Sequence, residues 1–381
     1  MRIHVGRWLR RGLLIGGAAG LAAALLPGTP AWAGPVSCGS TITANTTLTA
    51  NLVCAGDGLI IGADGITLNL NGHTITGTAG GNGVADGFAG HFHNVTIRNG
   101  RITGFFIDVT LSGVHDTTLR GLKLSTATYG LRAAGNSTNT RFISGTVTDA
   151  GVRISDSTNA TISHSTLTRA PLSLESSANF TTIDHSKFTD SPVNLFEDDF
   201  TVATDNVFTR SPIASFASSR RGSFRDNTFQ GADIALDMSD NMLNTQVAFN
   251  TFRNNRIGLK MRGTPLAFLN GISVSDNTFT NNDAVGAWLE SRDAVGLPVS
   301  LAVQDNKFTD NGHTPGGLVD GTGQAIADGL HIDVPAGATF VVGFNATKNN
   351  GAFGIYAVAG ITDAGGNTSV GNPSGCLGVT C

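Results

Sequence analysis

Eight residues between positions 237 and 356 have the types and spacing to do acid–base and charge-stabilising chemistry: Asp237, Lys260, Arg262, Trp288, Glu290, His331, Asp333 and Tyr356. Removing a proton α to a carboxylate needs a cation to neutralise that carboxylate and a positioned base. Arg262 suits the first task, because its planar fork matches a carboxylate bidentately. Lys260 or His331 is the candidate base, and Tyr356 has a hydroxyl to protonate a leaving oxygen. That set supports β-elimination or C5-epimerisation of a uronate. Glu290 and Asp333 support a different reaction, glycoside hydrolysis by paired carboxylates. A reading without catalysis uses Trp288, Tyr356 and Asp237 as contacts for sugar rings, and a purely structural role stays open beside it.

These residues act together only if the elements carrying them stack in register. Strand alternation gives the inward residues as Ile234/Leu236, Leu259/Met261, Ala287/Leu289, Leu330/Ile332 and Ile355/Ala357. The outward residues then form one column of Asp237, Lys260, Trp288, His331 and Tyr356 and a second of Arg262, Glu290 and Asp333. Neighbouring strands lie ~4.8 Å apart and alternate side chains ~6.5 Å apart, so all eight share one strip. Trp288 is expected to point outward, and it is the sole tryptophan beyond position 33. Insertions at 263–270, 292–298 and 311–324 flank the strip and would turn a flat face into a groove. The competing reading is a solvated ladder in which Asp237 pairs with Lys260 and Arg262 with Glu290.

The period that sets this register runs through the whole chain. Ile102, Leu124, Val147, Leu167, Phe188, Phe208, Phe229 and Phe252 follow one another at steps of 20 to 23 residues, and Phe279 and Phe308 continue at 27 and 29. Each unit has three short alternating runs, as in Ile272 to Val274, Thr278 to Thr280 and Val285 to Leu289, and none has a sustained helical period. Units of this size bury their apolar faces only against one another. The expectation is all-β: a right-handed parallel β-helix with three strands per coil and roughly ten to twelve coils. At one bend sit Asn206, Asn227, Asn250, Asn277 and Asn306, continuing at Asn345 and Asn367. Asn tolerates the left-handed backbone, and stacked amides can bond along the axis.

These coils, with the segment GITLNLNGHTITG at Gly65 to Gly77, resemble secreted bacterial members of the pectin-lyase-like superfamily of right-handed parallel β-helices. The resemblance covers nearly all of the chain beyond the leader. It implies the fold, and it implies that the substrate cleft lies on the strand two steps after the Asn bend, where the strip stands. It carries no catalytic motif onto this sequence, and members include lyases, hydrolases, epimerases and proteins without activity.

Residues 1–33 read as a secretory signal peptide, leaving 34–381 as a single domain. Arg2, Arg7, Arg10 and Arg11 precede the apolar run Leu13 to Leu26, and Ala31-Trp32-Ala33 is a small-x-small cleavage site. Arg10-Arg11 leaves the twin-arginine route open beside the general one. The apolar run is too short for a stable span, so a secreted protein without a membrane span is expected. Losing the leader leaves 20 basic against 28 acidic side chains, a balance that argues against a nucleic-acid partner and leaves an extracellular polysaccharide as the expected one. Cys38 with Cys54 and Cys376 with Cys381 sit in close pairs at the two ends, which predicts two local disulfides clamping the terminal coils.

Other clusters read as structural. His73, His91, His93 and His115 are the densest histidine group without a fixed carboxylate, and His164 and His185 read as exposed corner residues near Asp205. Glu197-Asp198-Asp199 has oxygen ligands for calcium but reads as a solvated bend, so no metal site is assigned and calcium is not required. Oligomeric state is left open.

Overall fold

A computed structural model describes residues 36–87, 91–217, 219–239, 242–263, 269–290, 300–334, 339–358 and 360–381. The expected leader lies outside the described residues. Val36–Cys381 forms one compact unit, and no described helix is long and apolar enough to cross a membrane.

Each coil consists of short strands joined by sharp bends, and each strand pairs in parallel with its equivalent one coil on. Ser223–Arg225, Thr228–Gln230 and Ile234–Ser239 make one coil, and Gln246–Ala248, Thr251–Arg253 and Ile257–Arg262 stack on it. One face is a 15-stranded parallel sheet, hereafter the long sheet. The other two faces are joined where Thr96–Thr103 and Thr118–Ser125 run through the corner between them unbroken. The fold is therefore the expected right-handed parallel β-helix, with more coils than the sequence period indicates. The extra coils are terminal ones, such as Thr41–Ile42 and Cys376–Leu377, where the phenylalanine marker is missing.

The periodic residues form the core. Leu124 pairs with Val147, Val147 with Leu167, Leu167 with Phe188, and the phenylalanines continue in register to Phe308. Phe229 and Phe252 stack with centroids 4.9 Å apart at 4°, and Phe252 lies 4.7 Å from Phe279 in the same orientation. A ring at every coil spacing fills the interior with rotamers that cannot interchange, which fixes the register.

The asparagines do form a buried ladder, but they are not the left-handed residues. Positive φ falls one position earlier, on Asp205, Asp226, Phe249, Asp276, Asp305 and Phe344. That residue makes the bend and turns the following amide inward. Each amide then accepts from the asparagine of the preceding coil: Asn250 donates its backbone N–H (2.9 Å) and Nδ2 (3.0 Å) to Asn277 Oδ1. The chain of bonds continues through Asn306 and Asn345 to Asn367. A second ladder, Asn255, Asn282, Asn311, Asn350 and Asn372, runs along the next corner. Its signal was present in the sequence as a polar pair after each phenylalanine strand, in Asn254-Asn255 and Asn281-Asn282. Satisfying every buried polar group with a copy of itself lets the bend repeat at no desolvation cost.

Cys38 is bonded to Cys54 and Cys376 to Cys381, as expected.

Candidate functional site

The strip is assembled in the expected register. Asp237 pairs with Lys260, Lys260 with Trp288, Trp288 with His331 and His331 with Tyr356; Arg262 pairs with Glu290 and Glu290 with Asp333. Among the described residues part of this strip is covered; the expected insertion 292–298 and most of 263–270 lie outside the described residues.

Trp288 points away from the rod interior yet is only 7% exposed. It packs with Ile257, Ala284, Val285 and Ile326 in a small second core, with Ile234 and Leu318 against it. Ile234 accordingly belongs to this outer cluster rather than to the inward row where alternation put it. A glycine follows Ile257 and Val285 at this corner, and a side chain on Gly286 would meet the Gly329 carbonyl at 2.5 Å. The register keeps the same offset on both sides of these glycines, while Ile257 and Val285 pack with Trp288 in the outer cluster. The cover comes from the insertion before Leu330, which folds back as a small hairpin in which Ile326 N–H donates to the Leu318 carbonyl (2.9 Å) and Asp320 N–H to Gln324 (2.9 Å).

The same hairpin seals His331, whose side chain has no exposed surface. Its Nδ1 lies 2.7 Å from Asp328 Oδ2 and its Nε2 3.4 Å from Asp320 Oδ2. Its ring stacks on Tyr356 with centroids 4.4 Å apart at 6°. Burial pushes the Asp320 carboxyl up, but the Thr322 hydroxyl and the Thr322 and Gln324 amides outweigh it and hold the group below the usual range. His331 therefore serves as a clamp between sheet and insertion, closed off from any substrate. Asp333 is also buried, at 2%, which removes it from a hydrolytic pair with Glu290. Tyr356 is half-buried and stands three coils from Lys260, about 14 Å by strand spacing, too far to share one glycosidic bond with it.

The more exposed part of the strip is Arg262, with Asp237 and Lys260 half-buried beside it and the Glu290 side chain 13% exposed. The Lys260 ammonium sits 4.8 Å from the Trp288 ring centroid, at the edge of the covered cluster. Asp237 accepts from Ser239 Oγ at 3.0 Å. Arg262 Nε lies 3.9 Å from Glu290 Oε2 with half its side chain exposed, a loose pair that leaves the guanidinium available.

Aromatic surface appears instead on the preceding coils of the same sheet. Phe196 and Phe216 are register partners, 42% and 47% exposed, and Ala214 pairs with Asp237, so Phe216 heads the column of Ser239, Arg262 and Glu290. Their sequence signal is an aromatic residue on the outward phase, in Asn194-Leu195-Phe196 and Ala214-Ser215-Phe216.

The remaining clusters do not converge as the calcium reading requires. Asp198 is buried, with its carboxyl pushed up to about 7 by desolvation against the Thr201 hydroxyl, while Asp199 pairs with Arg220 at 2.9 Å and Glu197 makes a left-handed bend. His93 and His115 stack 4.7 Å apart, whereas His91 bonds the Gly113 carbonyl (3.2 Å) and His73 the Asn51 amide (3.3 Å).

The family model "Right handed beta helix region" matches residues 109–295 and 213–372. Comparison with curated proteins gives no match. Among solved structures, a double mutant of the periplasmic alginate epimerase AlgG is 11% identical over 83% of this chain and 77% of its own, with a TM-score of 0.42. A tailspike double mutant of E. coli bacteriophage HK620 is 14% identical over 88% and 72%, at 0.45. The catalytic unit of a GH87 alpha-1,3-glucanase from Streptomyces thermodiastaticus strain HF3-3 is 12% identical over 89% and 63%, at 0.44. Coil, register and amide ladder agree with the family match, and the chain belongs to the right-handed β-helix family.

Proposed function

We propose that this is a secreted protein that binds an acidic, uronate-containing polysaccharide along the outer face of its long sheet. The observation that carries the reading is the run of exposed side chains from Phe196 and Phe216 to Arg262, with Lys260 beside it. Aromatic faces stack on sugar rings, and a planar guanidinium takes a carboxylate bidentately. Adjacent coils repeat at ~4.8 Å, so the run offers contacts to several successive sugars. Two disulfides at the ends and the leader-like residues 1–33 support an extracytoplasmic site of action.

A second reading, β-elimination or C5-epimerisation, is favoured by one observation: Lys260 and Arg262 face outward from one strand, about 6.5 Å apart, a span that puts a base and a carboxylate-neutralising cation on one sugar.

The test is calorimetric titration of a chain starting at Gly34 with oligouronates and with neutral oligosaccharides, alongside absorbance near 235 nm. Micromolar to millimolar oligouronate binding is expected, weakened about tenfold by Phe216→Ala and by Arg262→Lys. Unsaturated product lost in Lys260→Ala would add the catalytic reading. A folded chain that binds no glycan would sink both.

A further inference from the structure

A separate site lies on a corner away from the long sheet. His164 and His185 hold the left-handed bend position in consecutive coils, with φ of 50° and 47°. Their imidazoles stack with centroids 4.8 Å apart at 5°. The residue before each bend aims a polar group at Nδ1: Ser163 Oγ lies 2.7 Å from that of His164, and Asp184 Oδ2 lies 3.1 Å from that of His185. On the far side, His185 Nε2 is 3.8 Å from Asp205 Oδ2 in the next coil.

One ligand atom from each of His164, Asp184 and His185 lies within 4.8 Å of the other two. Asp184 Oδ1 is buried and has no hydrogen-bond donor. The bend does not require this combination, since the same column holds Ser144, Asp226 and Phe249 in other coils. Two stacked imidazoles beside the Asp184 carboxylate, whose Oδ2 faces His185 while its Oδ1 lacks a donor, form a nitrogen and oxygen set complementary to a cation.

We propose that His164, Asp184 and His185 bind one divalent transition-metal ion of the zinc class, with Asp205 at its edge. Two imidazoles with a carboxylate suit zinc or copper, and they disfavour calcium, which takes oxygen ligands. Zinc–ligand bonds of about 2.1 Å need the three ligand atoms to draw together, and the half-exposed His185 is free to swing toward the ion. The open side of the corner admits water to the remaining coordination position. The ion would add a tie between adjacent coils at a bend that already has backbone bonds, the Ser165 N–H to Ser186 Oγ bond (3.0 Å) and the ring stack.

The test uses an untagged chain starting at Gly34, stripped with chelator and titrated calorimetrically with zinc chloride and with calcium chloride. One equivalent of zinc and no calcium should bind. Zinc affinity should fall at least tenfold in His185→Ala and in His164→Ala, with circular dichroism unchanged. It should also fall in Asp184→Asn, which keeps the shape and removes the charge. The double variant His93→Ala/His115→Ala, at the other stacked histidine pair, should bind zinc as the parent does. Absence of zinc uptake at millimolar concentration, uptake indifferent to His185→Ala, or uptake lost in the His93/His115 variant would each overturn the site.

Discussion

His331 Nε2 lies 3.4 Å from Asp320 Oδ2, and this contact ties the turn of the insertion before Leu330 to the outer face of the long sheet. The Asp320 carboxylate is spent on both sides, since its Oδ1 already caps the turn through Thr322 and Gln324. Removing one partner of such a buried group strands the other, at a cost of about 3–5 kcal/mol. His331→Ala should therefore release the insertion and wet Trp288. In a chain starting at Gly34, whose sole tryptophan it is, the emission maximum should shift to the red and acrylamide quenching should rise while far-UV circular dichroism holds. Unchanged emission would show that apolar packing by Leu318 and Ile326 holds the cover without the clamp.

Phe252 has a stacked ring on each side, at 4.9 Å and 4.7 Å, and no exposed surface. Phe252→Ala should cost about 3–5 kcal/mol in denaturant unfolding, because the neighbouring coils are held apart by their own rings and cannot collapse into the gap.

Asn277 bonds both of its neighbours in the ladder and also donates Nδ2 to the Val247 carbonyl at 2.9 Å. Asn277→Leu keeps the branched shape and removes the acceptor of the Asn250 backbone N–H and of one Nδ2 hydrogen, together with the Nδ2 donor to the Val247 carbonyl, while Asn250 Nδ2 keeps its bond to the Phe224 carbonyl. At about 1–3 kcal/mol for each stranded group, the loss should equal or exceed that of Phe252→Ala. A change below about 1 kcal/mol would mean that the ladder sets register without stabilising it.

Asp108 supplies a pH test. Burial raises its carboxyl from an ordinary 3.8 to about 8, against the Ser125 and Phe105 amides and the Arg101 charge, which lower it. The folded chain thus holds this proton more tightly than the unfolded chain between those values. Its contribution to stability is complete below about pH 4 and is lost as pH rises toward 8. Asp108→Asn, neutral throughout, should remove about one proton from the pH dependence of unfolding across that window and should raise the melting temperature more at pH 8 than at pH 5. An equal shift at both would show that the carboxyl is not protonated in the folded state.

The register of the strip was legible because strand parity leaves no choice. Once Leu259 and Met261 face in, Lys260 and Arg262 must face out, and parallel stacking carries that assignment to His331 and Tyr356. What covers an outward residue is not periodic. Leu318 and Ile326 are isolated apolar residues in a polar segment, and nothing in the repeat shows that they return to Trp288. Alternation also puts Ile257 and Val285 inside, in parity with Leu259 and Ala287, so strand parity hides the outer cluster that they form with Trp288. The bend chemistry was misplaced by one residue for a related reason. Left-handed propensity favours Asn, but burial in the ladder claims the Asn and leaves the strained position to Asp, and in Phe249 and Phe344 to a ring.

The amide ladder has a direction. From Asn206 to Asn345 each Nδ2 donates one hydrogen to the Oδ1 of the next coil and another to a carbonyl of the preceding coil, so every ladder Oδ1 faces the N-terminal side and the amides align along the axis. The positive end emerges at Asn367, where the Nδ2 group meets Asp363 Oδ1 at 3.3 Å. The Asp363 carboxyl is held below its usual range by the Thr380 and Gly365 amides and by Asn367 itself. The last coil thus ends as a helix begins, with donors in need of an anion, and Asp363 is a built-in counter-charge that makes this end of the rod electrically unlike the other.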